Sequence, residues 1–114
     1  MTAEIKSRLT RSLALPGVAA WCVSDTKHAV EHHCYTDWFK PAQLEAITRK
    51  LAGALEGLRR RQVTARQLCW VFEHARLLLA HRTSGETLVL FVENRADLNM
   101  SPHQAAVAEF AAEN

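Results

Sequence analysis

Residues 31–35 read Glu31-His32-His33-Cys34-Tyr35, a run rich in side chains that ligate metals or move protons. Carboxylate, imidazole and thiol together suit zinc, which takes three or four such donors at about 2.0–2.3 Å. The chemistry needs convergence, and a strand does not supply it. Side chains alternate along a strand, so His32 and Cys34 share one face while Glu31, His33 and Tyr35 share the other. The nearest further donor is Cys22 on the preceding strand. A hairpin turn of two to four residues places it opposite positions 29 to 31. Cys34 is then three or more steps along, about 10 Å or more at 3.3 Å per residue. His74 and His81 flank a later turn and can pair with each other, but nothing brings them to His32. The run is read as strand, and no metal or cofactor is assigned.

Nucleophilic and acid–base chemistry find no better footing. Cys22 and Cys69 lie in apolar stretches, where a thiol packs as a small core residue. Asp37 and Glu73 have no evident carboxylate partner, and no glycine-rich phosphate loop is present. No catalytic residue is assigned and the chain is not expected to be an enzyme. Trp38 and Phe39, just before a long helical pattern, admit two readings: an exposed aromatic anchor for a partner, or a plug for the end of the core.

The chain has 114 residues, enough for a single domain over 1–114. Its apolar share of 48% and charged share of 23% are ordinary for a globular protein, and a net charge of +2 implies neither nucleic acid nor an anionic membrane. The one basic run, Arg59-Arg60-Arg61, sits where a helix should end and suits the negative pole of its dipole. Three cysteines, Cys22, Cys34 and Cys69, without CxxC spacing argue for a reducing, cytoplasmic setting. The N-terminal stretch lacks the apolar length of a signal peptide or membrane span.

The elements that must position these residues follow from periodicity. Ile5, Leu9 and Leu13 stripe a helix over 3–15, stopped by Pro16 and Gly17. Residues 18–25 read as a strand apolar on both faces. After a turn at Asp25-Thr26-Lys27 comes a more polar strand, 28–35. From Trp38 or Pro41 to Arg60 the period becomes helical, with Leu44, Ile47, Leu51, Ala54 and Leu58 in a stripe and Leu55 beside them. A polar connection at 62–67 precedes three strands, 68–74, 76–82 and 87–93. The turn at 83–86 carries Gly85; the one near Ala75 has no glycine, asparagine or proline. Ser101, Pro102, His103 and Gln104 form a capping box that opens a last helix to about Glu113, with Val107, Phe110 and Ala111 on its apolar side.

The order is α-β-β-α-β-β-β-α, an α/β (α+β) arrangement. Continuous apolar runs mark 18–25 and 87–93 as central strands, and the polar 28–35 suits an edge. The antiparallel meander 68–93 leaves its first strand at the other edge, carrying Leu68, Cys69, Trp70, Val71 and Phe72. An apolar edge invites pairing with another chain, and a homodimer contact is expected there. On the long helix, Ala42, Ala46, Gly53 and Gly57 cluster opposite the leucine stripe. A glycine inside a helix costs about 0.5–1 kcal/mol relative to alanine. Either a close helix–helix approach explains the cluster, or these are small solvent-facing residues.

At this level the chain resembles the roadblock/dynein light chain domain family. The likeness covers residues 5 to 113 and is carried by LPGV (Leu15–Val18), the long central helix and the 68–93 meander with its following helix. It departs at Asp25-Thr26-Lys27, where family members often have a glycine. The resemblance implies a profilin-like/roadblock fold: a five-stranded antiparallel sheet between the long helix on one face and the two terminal helices on the other. It also implies dimers formed through the third strand and the long helix, so the candidate interface residues are Leu68, Trp70, Phe72, Ala46, Gly53 and Gly57. In function it implies a module that regulates or scaffolds a small Ras-like GTPase or a signalling or motility complex and holds no nucleotide of its own. The alternative reading, recommended by the histidines, is a small-molecule or metal-sensing domain of related fold.

Overall fold

The computed structural model describes residues 1–27, 29–61 and 67–112, apart from the side chains of Arg59 and Leu68. Its elements are α1 (Ala3–Ser12), β1 (Val18–Ser24), β2 (Val30–Cys34), α2 (Pro41–Arg60), β3 (Gln67–Val71), β4 (Ala75–His81), β5 (Thr87–Glu93) and α3 (Ser101–Ala112). The strands form one antiparallel sheet in the order β2-β1-β5-β4-β3. The central strands are those whose sequences are apolar on both faces, and the expected edges are the observed edges.

One face packs Cys22, Leu77, Leu79, Val89 and Phe91 against Leu44 and Leu55 of α2. The other packs Trp21, Leu78, Leu88, Leu90 and Val92 against Leu13 and against Val107 and Phe110 of α3. The long helix thus covers one face and the two terminal helices the other, as the resemblance implies. Within α2 the buried line runs through Leu44, Thr48 and Leu55, while Ala54 is exposed. At about 100° per residue that line is centred roughly 100° from Ala54. The expected stripe was therefore placed too far round the helix, because a threonine occupies its middle.

Local chemistry explains the ends of elements. Leu15-Pro16-Gly17-Val18 closes on a Val18 N–H to Leu15 carbonyl bond of 3.1 Å, with Gly17 at φ 77°. Proline second and glycine third are what a type II turn requires. A Cβ on Gly17 would also lie 2.8 Å from Leu98. The capping box expected at Ser101 is displaced by one residue. Gln104 N–H donates to the Met100 carbonyl and Asn99 Oδ1 accepts from Ser101 N–H, so the helix starts before Ser101 caps it. The helix is described to Ala112, and Glu113 lies outside the described residues, as does the expected polar connection except for Gln67.

The first hairpin corrects the sequence reading most. Asp25 is part of the ladder: its N–H donates to the Ala29 carbonyl at 3.0 Å. Its carboxylate accepts from Lys27 N–H at 2.8 Å and Ala29 N–H at 2.9 Å. An aspartate that satisfies its own turn needs no glycine. The turn therefore sits one residue later than expected, and each cross-strand partner moves by two. Cys22 stands opposite His32 instead of opposite positions 29 to 31.

Candidate functional site

The β3 edge is open. Phe72 N–H donates to the Ala75 carbonyl at 2.8 Å, and hydrogen-bonded pairs alternate along an antiparallel ladder. Trp70 and Leu68 therefore bond toward β4, opposite Leu77 and Leu79. The backbone N–H and C=O of Gln67, Cys69 and Val71 point away from the sheet. Beside them Val71 is 65% exposed and Phe72 54% exposed. Trp70 is half-buried against the core cluster under α2, so it contributes to the core as well as to the rim. Val71 belongs to the apolar row expected along this edge, and alternation explains its exposure: the residue following a core-facing Trp70 on an edge faces the less covered side.

The small residues of α2 lie on its outer face. Ala42, Ala46 and Gly53 are exposed and Gly57 half-buried. A Cβ built on Gly53 or Gly57 meets nothing within 4 Å. That face is bordered by the helical ion pairs Arg49–Glu45 (3.7 Å) and Arg60–Glu56 (4.0 Å). Arg61 N–H donates to the Leu58 carbonyl just past the helix end, where the basic run was expected to sit.

Trp38 and Phe39 divide the two roles offered for them. Phe39 packs with its ring tilted 56° against the buried Phe91, ring centroids 5.2 Å apart, and plugs the core. Trp38 remains 47% exposed.

The revised hairpin register brings together residues that the sequence reading held apart. His32 faces Cys22 across the strands, and Cys34 is the diagonal neighbour, about 7–8 Å away by ordinary strand geometry. Glu45 on α2 approaches His32 Nδ1 at 3.9 Å. Burial pushes the Cys22 thiol up to about 12, opposed by the Thr48 hydroxyl aimed at it. The Thr48 hydroxyl has no hydrogen bond of ordinary geometry, and the thiol is the group that feels it. A thiol kept protonated by burial is a poor nucleophile. Among the described residues no group of three or more His, Cys, Asp and Glu is placed to hold a metal ion. Glu31 turns to the opposite face and pairs with Lys6 at 3.5 Å, and His33 packs edge-on against Tyr35.

His74 and His81 do not flank one turn. They lie at opposite ends of β4, roughly 20 Å apart at 3.3 Å per residue. His81 Nδ1 meets Thr87 Oγ1 at 2.9 Å, while His74 is exposed beside Glu73. The histidine that the fold uses most was read only as part of the capping box. His103 is fully buried on α3, and its Nε2 donates to the Pro16 carbonyl at 2.7 Å, tying α3 to the LPGV turn.

No protein-family model matches the sequence, and no curated protein does. Solved structures match in fold. A roadblock/LC7 domain from Streptomyces avermitilis superposes with a TM-score of 0.66 at 16% identity, over 92% of this chain and 87% of that one. The gliding protein MglB from Thermus thermophilus gives a TM-score of 0.73 at 17% identity, over 100% and 95%. MglB in a tetrameric arrangement gives 0.70 at 19%, over 97% and 90%. At these identities the likeness is one of architecture. The chain has the roadblock/LC7 fold that its sequence resembles.

Proposed function

We propose that this chain, built on the roadblock fold, is a homodimeric interaction module that binds a small Ras-like GTPase in the reducing interior of the cell and regulates or scaffolds it. The observation that carries the reading is the β3 edge. Three residues there direct outward backbone donors and acceptors that pair with no strand among the described residues, beside exposed Val71 and Phe72. An edge of that kind is satisfied by a second edge, and a two-fold axis supplies an identical one. The open small-residue face of α2 gives the two long helices room to approach. A tetrameric arrangement of MglB at comparable fold similarity supports self-association as a property available to this architecture.

The module acts by binding. On this reading GTP hydrolysis is left to the partner's own residues. The test is to add the purified chain to the Ras-like GTPases of the same cell, measuring co-purification and hydrolysis rate. Stable binding to one of them, with a changed hydrolysis rate or with assembly of a third protein, is the expected result. Failure to bind any of them overturns the GTPase assignment. GTP hydrolysis by the chain alone overturns the non-enzymatic one.

A further inference from the structure

The sheet has a second edge, and its surroundings differ in charge from the first. Asp25 N–H bonds the Ala29 carbonyl and Tyr35 N–H bonds the Ala19 carbonyl, one pair at each end of the β1–β2 ladder. Alternation between them places Glu31 and His33 in bonded pairs with Val23 and Trp21. Val30, His32 and Cys34 therefore direct their N–H and C=O groups outward from an edge strand that, among the described residues, pairs with β1 alone. Along this edge, on the side of the terminal helices, runs an open groove of about 640 Å³ between α1 and β2, lined by Lys6, Ser7, Thr10, Arg11 and His33. Arg11 has no ion pair among the described residues. The nearby carboxylate, Glu31, is already engaged by Lys6 at 3.5 Å.

From this arrangement we infer that β2 is a docking edge for an extended acidic segment of another protein, which adds to the sheet as a sixth strand. Main-chain bonds to Val30, His32 and Cys34 supply the attachment, and alternate side chains of the added strand face the α1 groove. The groove presents Arg11, which has no ion pair among the described residues, and Lys6, which an added strand's carboxylate would share with Glu31, so carboxylates set opposite these two cations fit it. A phosphate backbone would use the cations but not the row of outward donors and acceptors, which is why a peptide is preferred to a nucleic acid. The surface is independent of the β3 edge, lying across the full width of the sheet from it, and it stands whether or not the chain dimerises.

The experiment uses the full chain and fluorescent peptides in which glutamate or lysine alternates with valine. Anisotropy titration should show the glutamate peptide binding at least tenfold tighter than the lysine peptide. N-methylation of alternate backbone amides should abolish that binding. Arg11→Glu, an exposed helix position that leaves the core untouched, should weaken it at least tenfold, and Cys69→Pro at the opposite edge should leave it unchanged. Equal affinity for the two peptides, an Arg11→Glu variant that binds as well as the parent, survival of binding after N-methylation, or equal binding of a single-stranded oligonucleotide of matching charge would overturn the proposal.

Discussion

Asn94 Nδ2 donates to the carbonyl of Phe72 at 2.7 Å, reaching across from the end of β5 to the turn between β3 and β4. The same residue donates its N–H to the His74 carbonyl at 3.2 Å and accepts from Arg76 Nε at 2.9 Å. A turn made of Glu73 and His74, with no residue suited to its own closure, is thus held by a side chain about twenty residues downstream. This fixes where β3 begins to leave the sheet, and with it the position of Phe72 on the edge.

Replacing Asn94 with alanine should therefore cost about 0.5–1.5 kcal/mol of stability, the net worth of side-chain hydrogen bonds lost at an exposed turn. Chemical denaturation of Asn94→Ala measures it. The same variant should weaken self-association, because the edge that pairs is the one the turn positions.

Burial of Cys22 gives an alkaline signature. Its thiol, ordinarily ionising at 9.0, is raised to about 12 in the folded chain. Between those values the unfolded chain releases a proton that the folded chain keeps, so stability is complete below pH 9 and declines as pH rises toward 12. The decline attributable to one such group approaches about 1.4 kcal/mol per pH unit. Tyr35, also raised to about 12 by burial, adds to the same trend. Cys22→Ala should flatten the fall of denaturation midpoint with pH over this window. An unchanged slope would show that Cys22 is not the group responsible.

Gly53 and Gly57 separate helix stability from assembly. With no atom within 4 Å of a Cβ at either site, leucine at both should be accepted by the monomer. It should stabilise α2 by roughly 0.5–1 kcal/mol per site through helix propensity. If the small face is where two helices meet, the same double variant dimerises at least about tenfold more weakly in sedimentation. Dimers of unchanged affinity would assign the glycines to solvent.

Arg82 closes α3 from outside the helix. Its Nε donates to the Phe110 carbonyl at 3.0 Å, and the guanidinium lies 3.7 Å over the Phe110 ring. Lysine offers neither the fork nor the flat stacking surface. Arg82→Lys should lower thermal stability by about 1–2 kcal/mol, measured by calorimetry.

The strand order and the two-faced core were legible because they depend on hydrophobic pattern, which is local: Val18–Val23 and Leu88–Val92 are apolar at every position and could only be central. Features set by polar side chains were not. Asp25 serving its own turn moved the first hairpin by one residue and placed His32 beside Cys22. Asn94 closing a distant turn left no mark in the turn's own sequence. His103, taken from its neighbours as part of a cap, is a buried tie to Pro16 because Met100 and Asn99 had already begun the helix. The edge residues split likewise: Val71 and Phe72 are exposed, while Trp70 is shared with the core.

The β3 edge admits a direct test because its outward backbone groups are known. Cys69 bonds away from β4, so proline at that position removes a donor from the edge without removing one from the sheet. Sedimentation of the parent chain and of Cys69→Pro over a concentration series, with circular dichroism as the check on folding, is the decisive comparison. A parent dimer that becomes a folded monomer on substitution is the predicted result. A parent chain that stays monomeric at high concentration, or a dimer indifferent to proline at 69, contradicts it.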